Sequence, residues 1–384
     1  MKADLAQQVN NMEERKLNYD DVTIVPEVIT DIDSRKQCNP FDENGMLPIF
    51  ASPMDTVINE ENIKTFLENK INVIVPRNIP IEKRISLAKE NGCFFAISLQ
   101  EAIDAVNEYL DPHGPRGWLH TNEEYKICID IANGHMSKLL DVCTKMKKLD
   151  GVFITLMAGN IANPLAYKYY EAAGIDYVRC NIGSGSACLT ASQVGVFYPI
   201  FSLIEETYRI KKQIGGKCKI IADGGVKYYR DIQKALVFAD YVMIGGLFNK
   251  TMESAGRTTF GRRYFNINGN KIIRPFTTLF TYGREIPKNK YEKYYKMFKE
   301  NKLSIWKEYR GMSTKEAQQN IDKNAKLKTS EGKKFYQKVE YNISGWVENE
   351  IDYLRSAMSY TNSTTLSEYK GLRYVINNSV AYNK

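Results

Sequence analysis

Eight short apolar or β-branched runs recur through the first two thirds of this 384-residue chain: Leu47 to Ala51, Ile71 to Val75, Cys93 to Ser98, Ile127 to Ile131, Val152 to Leu156, Tyr177 to Asn181, Lys219 to Ala222 and Tyr241 to Ile244. Amphipathic stretches separate most of them, including Glu60 to Glu68, Ile81 to Glu90, Met136 to Lys147, Pro164 to Ala173 and Asp231 to Ala239. Strands that read as continuous apolar runs are covered on both faces, and their alternation with helices predicts a parallel sheet. Eight such units close into a (β/α)8 TIM barrel. A doubly wound open sheet is the competing architecture, but it needs only one glycine-rich crossover. Here nearly every run ends in polar or glycine residues: Ser52-Pro53-Met54-Asp55, Arg77-Asn78, Asn133-Gly134, Gly159-Asn160, Asp223-Gly224-Gly225 and Gly245-Gly246. In a barrel those ends share one mouth, where a site is built.

The sixth run leads into Asn181-Ile-Gly-Ser-Gly-Ser-Ala-Cys-Leu-Thr190. Gly183 and Gly185 free the backbone for conformations other residues avoid, so amides and carbonyls can approach a phosphate or an ion closely. Cys188 on the same loop is a candidate nucleophile, since a thiolate beside polarising backbone dipoles is reactive. The competing reading is a space-filling cysteine.

The seven cysteines are odd in number and lack the paired spacing of zinc or redox motifs, which points to reduced thiols. A mean hydropathy of -0.41 and the lack of a long apolar window argue for a soluble protein without a membrane span. The polar segment Met1 to Arg15 does not read as a secretion signal, and a cytoplasmic location is expected. The net charge of +8 is scattered lysine, which suits anionic small molecules and gives no reason to expect nucleic acid. His113, His120 and His135 are dispersed and are not read as metal ligands. From Thr251 to Lys307 the strand-helix rhythm stops. One helix is predicted over Lys290 to Asn301 with Tyr291, Tyr294, Tyr295 and Phe298 on one face, and another follows around Trp346 to Ser356.

Leu17 to Val22, Ala51 to Val57, Asn181 to Thr190, Ile221 to Gly225, Val242 to Gly246 and Tyr309 to Ser313, in that order, resemble the signatures of the IMP dehydrogenase and GMP reductase family. The resemblance spans about Leu17 to Tyr360 and implies one barrel domain over 1-384. It leaves a family-atypical insertion at about 256-304 before the C-terminal helices, and a cofactor and oligomer segment at about 340-384. Both branches of the family attack C2 of a purine nucleotide with the loop cysteine, here Cys188. The dehydrogenase also needs an arginine-tyrosine pair on a flap after the Arg-Gly-Met motif, and no arginine occurs between Gly311 and Leu354. Asp130 to Gly134, Met157 to Asn160 and Ser330 to Lys333 are similar to the reductase. The resemblance therefore implies an NADPH-dependent GMP reductase converting GMP to IMP and ammonia. Two alternatives stay open: an IMP dehydrogenase without a regulatory domain, with Arg263 or Arg310 activating water, and a non-catalytic nucleotide-binding barrel.

By the same resemblance Cys188, Thr190 and Glu331 are catalytic, the last two forming a proton relay that lets ammonia leave. The substrate would be held by Ser52, Arg77, Ser186, Asp223, Gly224, Gly225, Gly245, Gly246, Arg310, Gly311, Met312, Ser313, Ser330, Gly332 and Lys333. NADPH would meet Asp130, Ala132, Asn133, Gly134, Asn160, Ile182, Gly183, Ser356 and Tyr360. The carbonyls of Gly183, Gly185 and Cys188 would hold a monovalent cation such as K+, and the assembly would be a homotetramer. Ala191 stands where an arginine commonly ends the cysteine loop, and Arg77 where the family has a lysine.

Overall fold

The computed structural model describes residues 15-113, 117-261, 265-267, 270-272, 296, 300, 304-321 and 331-377. All eight expected strands form: β1 (Ile49–Ala51), β2 (Ile74–Val75), β3 (Phe94–Ile97), β4 (Glu123–Asp130), β5 (Val152–Ile161), β6 (Tyr177–Cys180), β7 (Lys219–Asp223) and β8 (Tyr241–Ile244). They are parallel and ordered consecutively, with β8 returning to β1 through the register Ile49 to Val242 and Ala51 to Ile244. The last gap, between β1 and β2, is closed by hydrogen bonds from Ala51 N–H to Asn72 O at 2.8 Å and from Asn72 N–H to Ile49 O at 3.0 Å. The result is the expected (β/α)8 barrel and not an open sheet.

Around it lie α1 (Ile63–Glu68), α2 (Ile81–Asn91), α3 (Leu99–Leu110), α4 (Ser137–Lys147), α5 (Ala166–Ala172), α6 (Ile200–Ile214) and α7 (Tyr229–Leu236). Two of these, α3 and α6, were not foreseen in the sequence. The start of α3 is nonetheless legible: Ser98 and Glu101 form a reciprocal cap, each side chain bonding the other's backbone N–H.

Side-chain alternation divides the core in two. Outward residues of the strands pack against the helices, while Phe50, Ile74, Phe94, Ala96, Cys128, Met157, Ile221, Tyr241 and Met243 fill the barrel. The filling is aromatic on one side, with the Phe50 ring 5.8 Å from Phe94 and 5.2 Å from Tyr241. One step further along the same inward rows, Cys128 is followed by Asp130, Tyr177 by Arg179 and Ile221 by Asp223, so the layer at the carboxyl end is ionic. Arg179 donates from Nη1 to Asp130 Oδ1 at 2.7 Å and from Nε and Nη2 to Asp223 Oδ2 at 3.0 and 2.8 Å. Burial works against its charge, and the two carboxylates, Asp223 foremost, outweigh burial and raise its pKa above the usual value. Gly159 on β5 makes the space, because a Cβ there would lie 2.6 Å from the Arg179 Cβ.

After β8 the chain builds a second, antiparallel sheet from β9 (Thr258–Gly261), β10 (Ser304–Arg310) and β11 (Lys334–Lys338), with β10 central. Helices α8 (Lys315–Ile321) and α9 (Ile343–Tyr360) complete the fold, the latter covering the expected final helix. Strand Tyr374–Ile376 then pairs with Val22–Ile24. Tyr291, Tyr294, Tyr295 and Phe298, on the helix expected over Lys290 to Asn301, lie outside the described residues. No described helix is long and apolar enough to cross a membrane.

Two substitutions test the layered filling. Phe50→Ala should cost about 3–5 kcal/mol of stability in denaturant unfolding, whereas Phe153→Ala, at a side chain 61% exposed, should change it by less than about 0.5 kcal/mol. Arg179→Met should cost about 3–5 kcal/mol because it leaves two carboxylates without their shared cation, and a near-neutral result would contradict the ionic layer.

Candidate functional site

A cavity of about 590 Å³ opens at the carboxyl ends of the barrel strands, directly above the ionic layer. One wall is the loop after β6. Asn181 shapes that loop by accepting the Ser184 N–H at 3.0 Å and by donating from Nδ2 to the Asp223 backbone oxygen. Gly183 sits at φ 90°, where a side chain would press on Ala191 and Phe197 at 3.0 and 3.2 Å. That close approach, with the positive φ, explains why glycine stands at 183.

Cys188 closes a turn onto Gly185, its N–H donating to the Gly185 carbonyl at 2.9 Å. Of the seven cysteines it alone is partly exposed. Burial pushes Cys93, Cys128, Cys143 and Cys180 up to about 12, which leaves them unreactive near neutral pH. The space-filling reading therefore suits the other six.

A second segment, from the far end of the chain, is stitched to this loop. Leu189 N–H donates to Glu331 O at 2.6 Å, Lys333 N–H to Ala187 O at 2.9 Å, and Cys188 bridges Gly332 as in an antiparallel pair. The stitching carries Glu331 to the cysteine. Cys188 Sγ lies 3.3 Å from Thr190 Oγ1, which donates to Glu331 Oε2 at 2.6 Å. The polarity of this row allows a thiol proton to travel through the hydroxyl to the carboxylate and back.

Most of the expected site residues border the same cavity: Cys188, Thr190 and Glu331, then Ser52, Arg77, Ser186, Asp223, Gly224, Gly225, Gly245, Gly246, Gly311, Met312 and Ser313, and, of those expected to meet NADPH, Asp130, Ala132, Asn160, Ile182 and Gly183. The detail differs from expectation at several of them. Gly224 gives its N–H to Met243 O at 3.0 Å, so that amide is already engaged. Asp223 Oδ2 receives Arg179 and, at 2.6 Å, Asn160 Nδ2, which holds the carboxylate in a fixed pose. Arg77 reaches the Asp130 backbone oxygen from Nη1 at 2.6 Å, while its Nε is buried without a partner.

Other expected residues are not brought to the cavity. Arg310 lies beside it, its guanidinium paired with Asp55 and Glu308. Gly332 and Lys333 serve the stitching to the cysteine loop, and Lys333 is exposed with its Nζ over the Phe335 ring. Asn133 is exposed and caps a local turn through His135 N–H, while Gly134 packs under Tyr170. Ser356 and Tyr360, on α9, line a separate groove with Tyr228, Tyr353 and Tyr369. Ser330 and Arg263 lie outside the described residues.

Sequence reasoning missed Arg179, Asn181, Met54, Lys227 and Tyr309 as cavity-lining side chains. Arg179 carried a signal: a charged residue inside an otherwise apolar strand must find buried partners. Tyr309 is buried, which pushes its hydroxyl up to about 12, and it contacts Met54 Sδ at 3.7 Å.

Of the three carbonyls expected around a monovalent cation, that of Gly185 is engaged in the Cys188 turn. The Gly185 oxygen already accepts one hydrogen bond there and has one lone pair left for an ion. Beside Asp130, the buried Arg77 Nε has no hydrogen-bond partner and is a polar group that a nicotinamide cofactor fits as a hydrogen-bonding ligand.

Comparison with known proteins places this geometry. The IMP dehydrogenase / GMP reductase domain profile matches residues 117-304. A GMP reductase of Staphylococcus epidermidis is 31% identical over 299 residues, covering 75% of this chain and 85% of that protein. The GMP reductases of Bacillus cereus and Bacillus subtilis are 29% and 28% identical over 381 and 383 residues, each covering 96% of this chain and 98% of its own. The barrel, the cysteine loop at its mouth and these relatives together place the chain in the IMP dehydrogenase / GMP reductase family.

Proposed function

We propose that the chain is a GMP reductase that deaminates GMP to IMP and ammonia with NADPH. The observation that carries this reading is the Cys188, Thr190 and Glu331 row, with contacts of 3.3 and 2.6 Å. Cys188 Sγ attacks C2 of the guanine ring after its proton passes through Thr190 to Glu331. The same pair then returns a proton to the 2-amino group, which leaves as ammonia, because an amine departs only when protonated. The purine remains joined to Cys188 through a carbon–sulfur bond. NADPH, when bound, would supply the hydride that reduces C2, and Cys188 would be released as the C2–S bond breaks to give IMP. Asp130, Ala132, Asn160, Ile182 and Gly183 are the residues that would hold the nicotinamide end. Gly183, Gly185 and Cys188 offer carbonyls to a monovalent cation.

The phosphate is assigned to the corner formed by Ser186, Gly225, Gly245 and Gly246, the loops after β7 and β8. Asp223, held from one side by Arg179 and Asn160, keeps its other oxygen for the ribose hydroxyls. Ser356 and Tyr360 lie in a different groove, which agrees with a homotetramer in which α9 reaches a neighbour's cofactor.

The dehydrogenase reading draws support from Ser52-Pro53-Met54, which is closer to that branch. Against it, among the described residues the candidate water-activating Arg310 is held by Asp55 and Glu308, and the Gly311 to Leu354 stretch has no arginine.

Mixing purified protein with GMP and NADPH should bleach the reduced-nicotinamide absorbance. Its persistence, with NADH formed from IMP instead, would favour the dehydrogenase. Cys188→Ala should abolish turnover while IMP still binds. Glu331→Gln should lower kcat by about 10²–10⁴-fold with little change in KM, since it removes a proton donor and not a binding group. An equal loss from KM alone would argue against the relay.

A further inference from the structure

Three cations, Arg77, Arg179 and Lys227, and three carboxylates, Asp130, Asp223 and Glu331, border the cavity among the described residues. A nucleotide 5'-phosphate brings about two further negative charges, so its electrostatic partner can be sought among the three cations. Arg179 is already shared between Asp130 and Asp223. Arg77 stands on the β2 side and gives Nη1 to the Asp130 backbone. That leaves Lys227, two residues beyond Gly225.

Its backbone is fixed, with the N–H donating to Asp231 Oδ2 at 2.8 Å, whereas its side chain is 64% exposed. The ion pair it makes among the described residues, with Asp20, is long at 3.8 Å, and Asp20 is also met by Arg230 at 3.5 Å. Moving Lys227 away therefore leaves no carboxylate stranded. The same corner holds Ser184 Oγ, buried without a hydrogen-bond partner, with the Ser184 Cβ 3.4 Å from where a side chain on Gly225 would begin. A fixed backbone, a loosely held ammonium and an unsatisfied hydroxyl meet around Gly225.

We infer that Lys227 is the counter-charge for the nucleotide's 5'-phosphate, with the Ser184 hydroxyl as a second donor, and that it sets the preference for nucleotide over nucleoside. This rests on the assignment of the phosphate to the Gly225 corner. The charge is partly solvated, so its effect is smaller than that of a buried pair but larger than that of two exposed side chains, because the partner is a dianion in a half-enclosed recess.

Calorimetric binding of IMP and of inosine to the full chain and its Lys227→Met and Lys227→Arg variants tests this without turnover. Lys227→Met should weaken IMP about five- to tenfold and leave inosine unchanged, and Lys227→Arg should stay within about twofold of wild type. The affinity of wild type for IMP should also fall more steeply with added salt than that of Lys227→Met. Equal IMP affinity in wild type and Lys227→Met, or equal losses for IMP and inosine, would overturn the inference. The reductase reading fails separately: IMP binding with the expected Lys227 effect but no consumption of NADPH with GMP would remove that reading and keep this one.

Discussion

One guanidinium between two carboxylates ties the chemistry to the barrel. Arg179 occupies the last inward position of β6, where a neighbouring glycine leaves room for it, and its partners are the last inward residues of β4 and β7. Below it the barrel is filled by apolar and aromatic side chains, and the buried guanidinium, with its side chain only 8% exposed, must keep its partners. That obligation fixes Asp130 and Asp223 relative to each other. The cavity above then inherits a rigid polar floor, and the loop after β6 starts from an immovable point. Preorganised polar groups of this kind are effective because they need no rearrangement when a ligand arrives.

The cysteine loop has a different kind of support. Cys188 lies on a loop, and the carboxylate that reaches it through Thr190 comes from more than a hundred residues downstream. Backbone pairing between Ala187–Leu189 and Glu331–Lys333 joins the two. Glu331 is exposed, so no apolar packing holds it in place. Its position follows from the antiparallel sheet, since β11 begins three residues later and pairs along β10. The second sheet thus acts as a bracket for the Glu331 carboxyl group.

Much of this was legible before any coordinates. The eight runs became eight strands because strands covered on both faces leave an unbroken apolar signature, and their polar exits marked the mouth. The loop cysteine stood out by its glycine-serine frame. Other features were illegible for physical reasons. Helix α6 is illegible because it follows the cysteine loop after only a short helix at Thr190–Val194, with no strand between to announce it. Arg179 was counted into an apolar run, although a charge there could only be explained by buried partners. Asn133, Gly134 and Arg310 were placed in the site by motif position, but each is engaged in local structure: a turn, packing under Tyr170, and ion pairs with Asp55 and Glu308. Spacing along a chain does not reveal which way a side chain turns.

The strand pairing of the antiparallel sheet has an architectural consequence. Gly261, where β9 ends, and Ser304, where β10 begins, are register partners lying side by side. Whatever the chain does between them, it departs and rejoins at a single doorway. Closing a loop whose ends already touch depends only weakly on its length, so this doorway tolerates extension or contraction without strain reaching the barrel. A change in the length of chain between Gly261 and Ser304 therefore need not redraw the cavity.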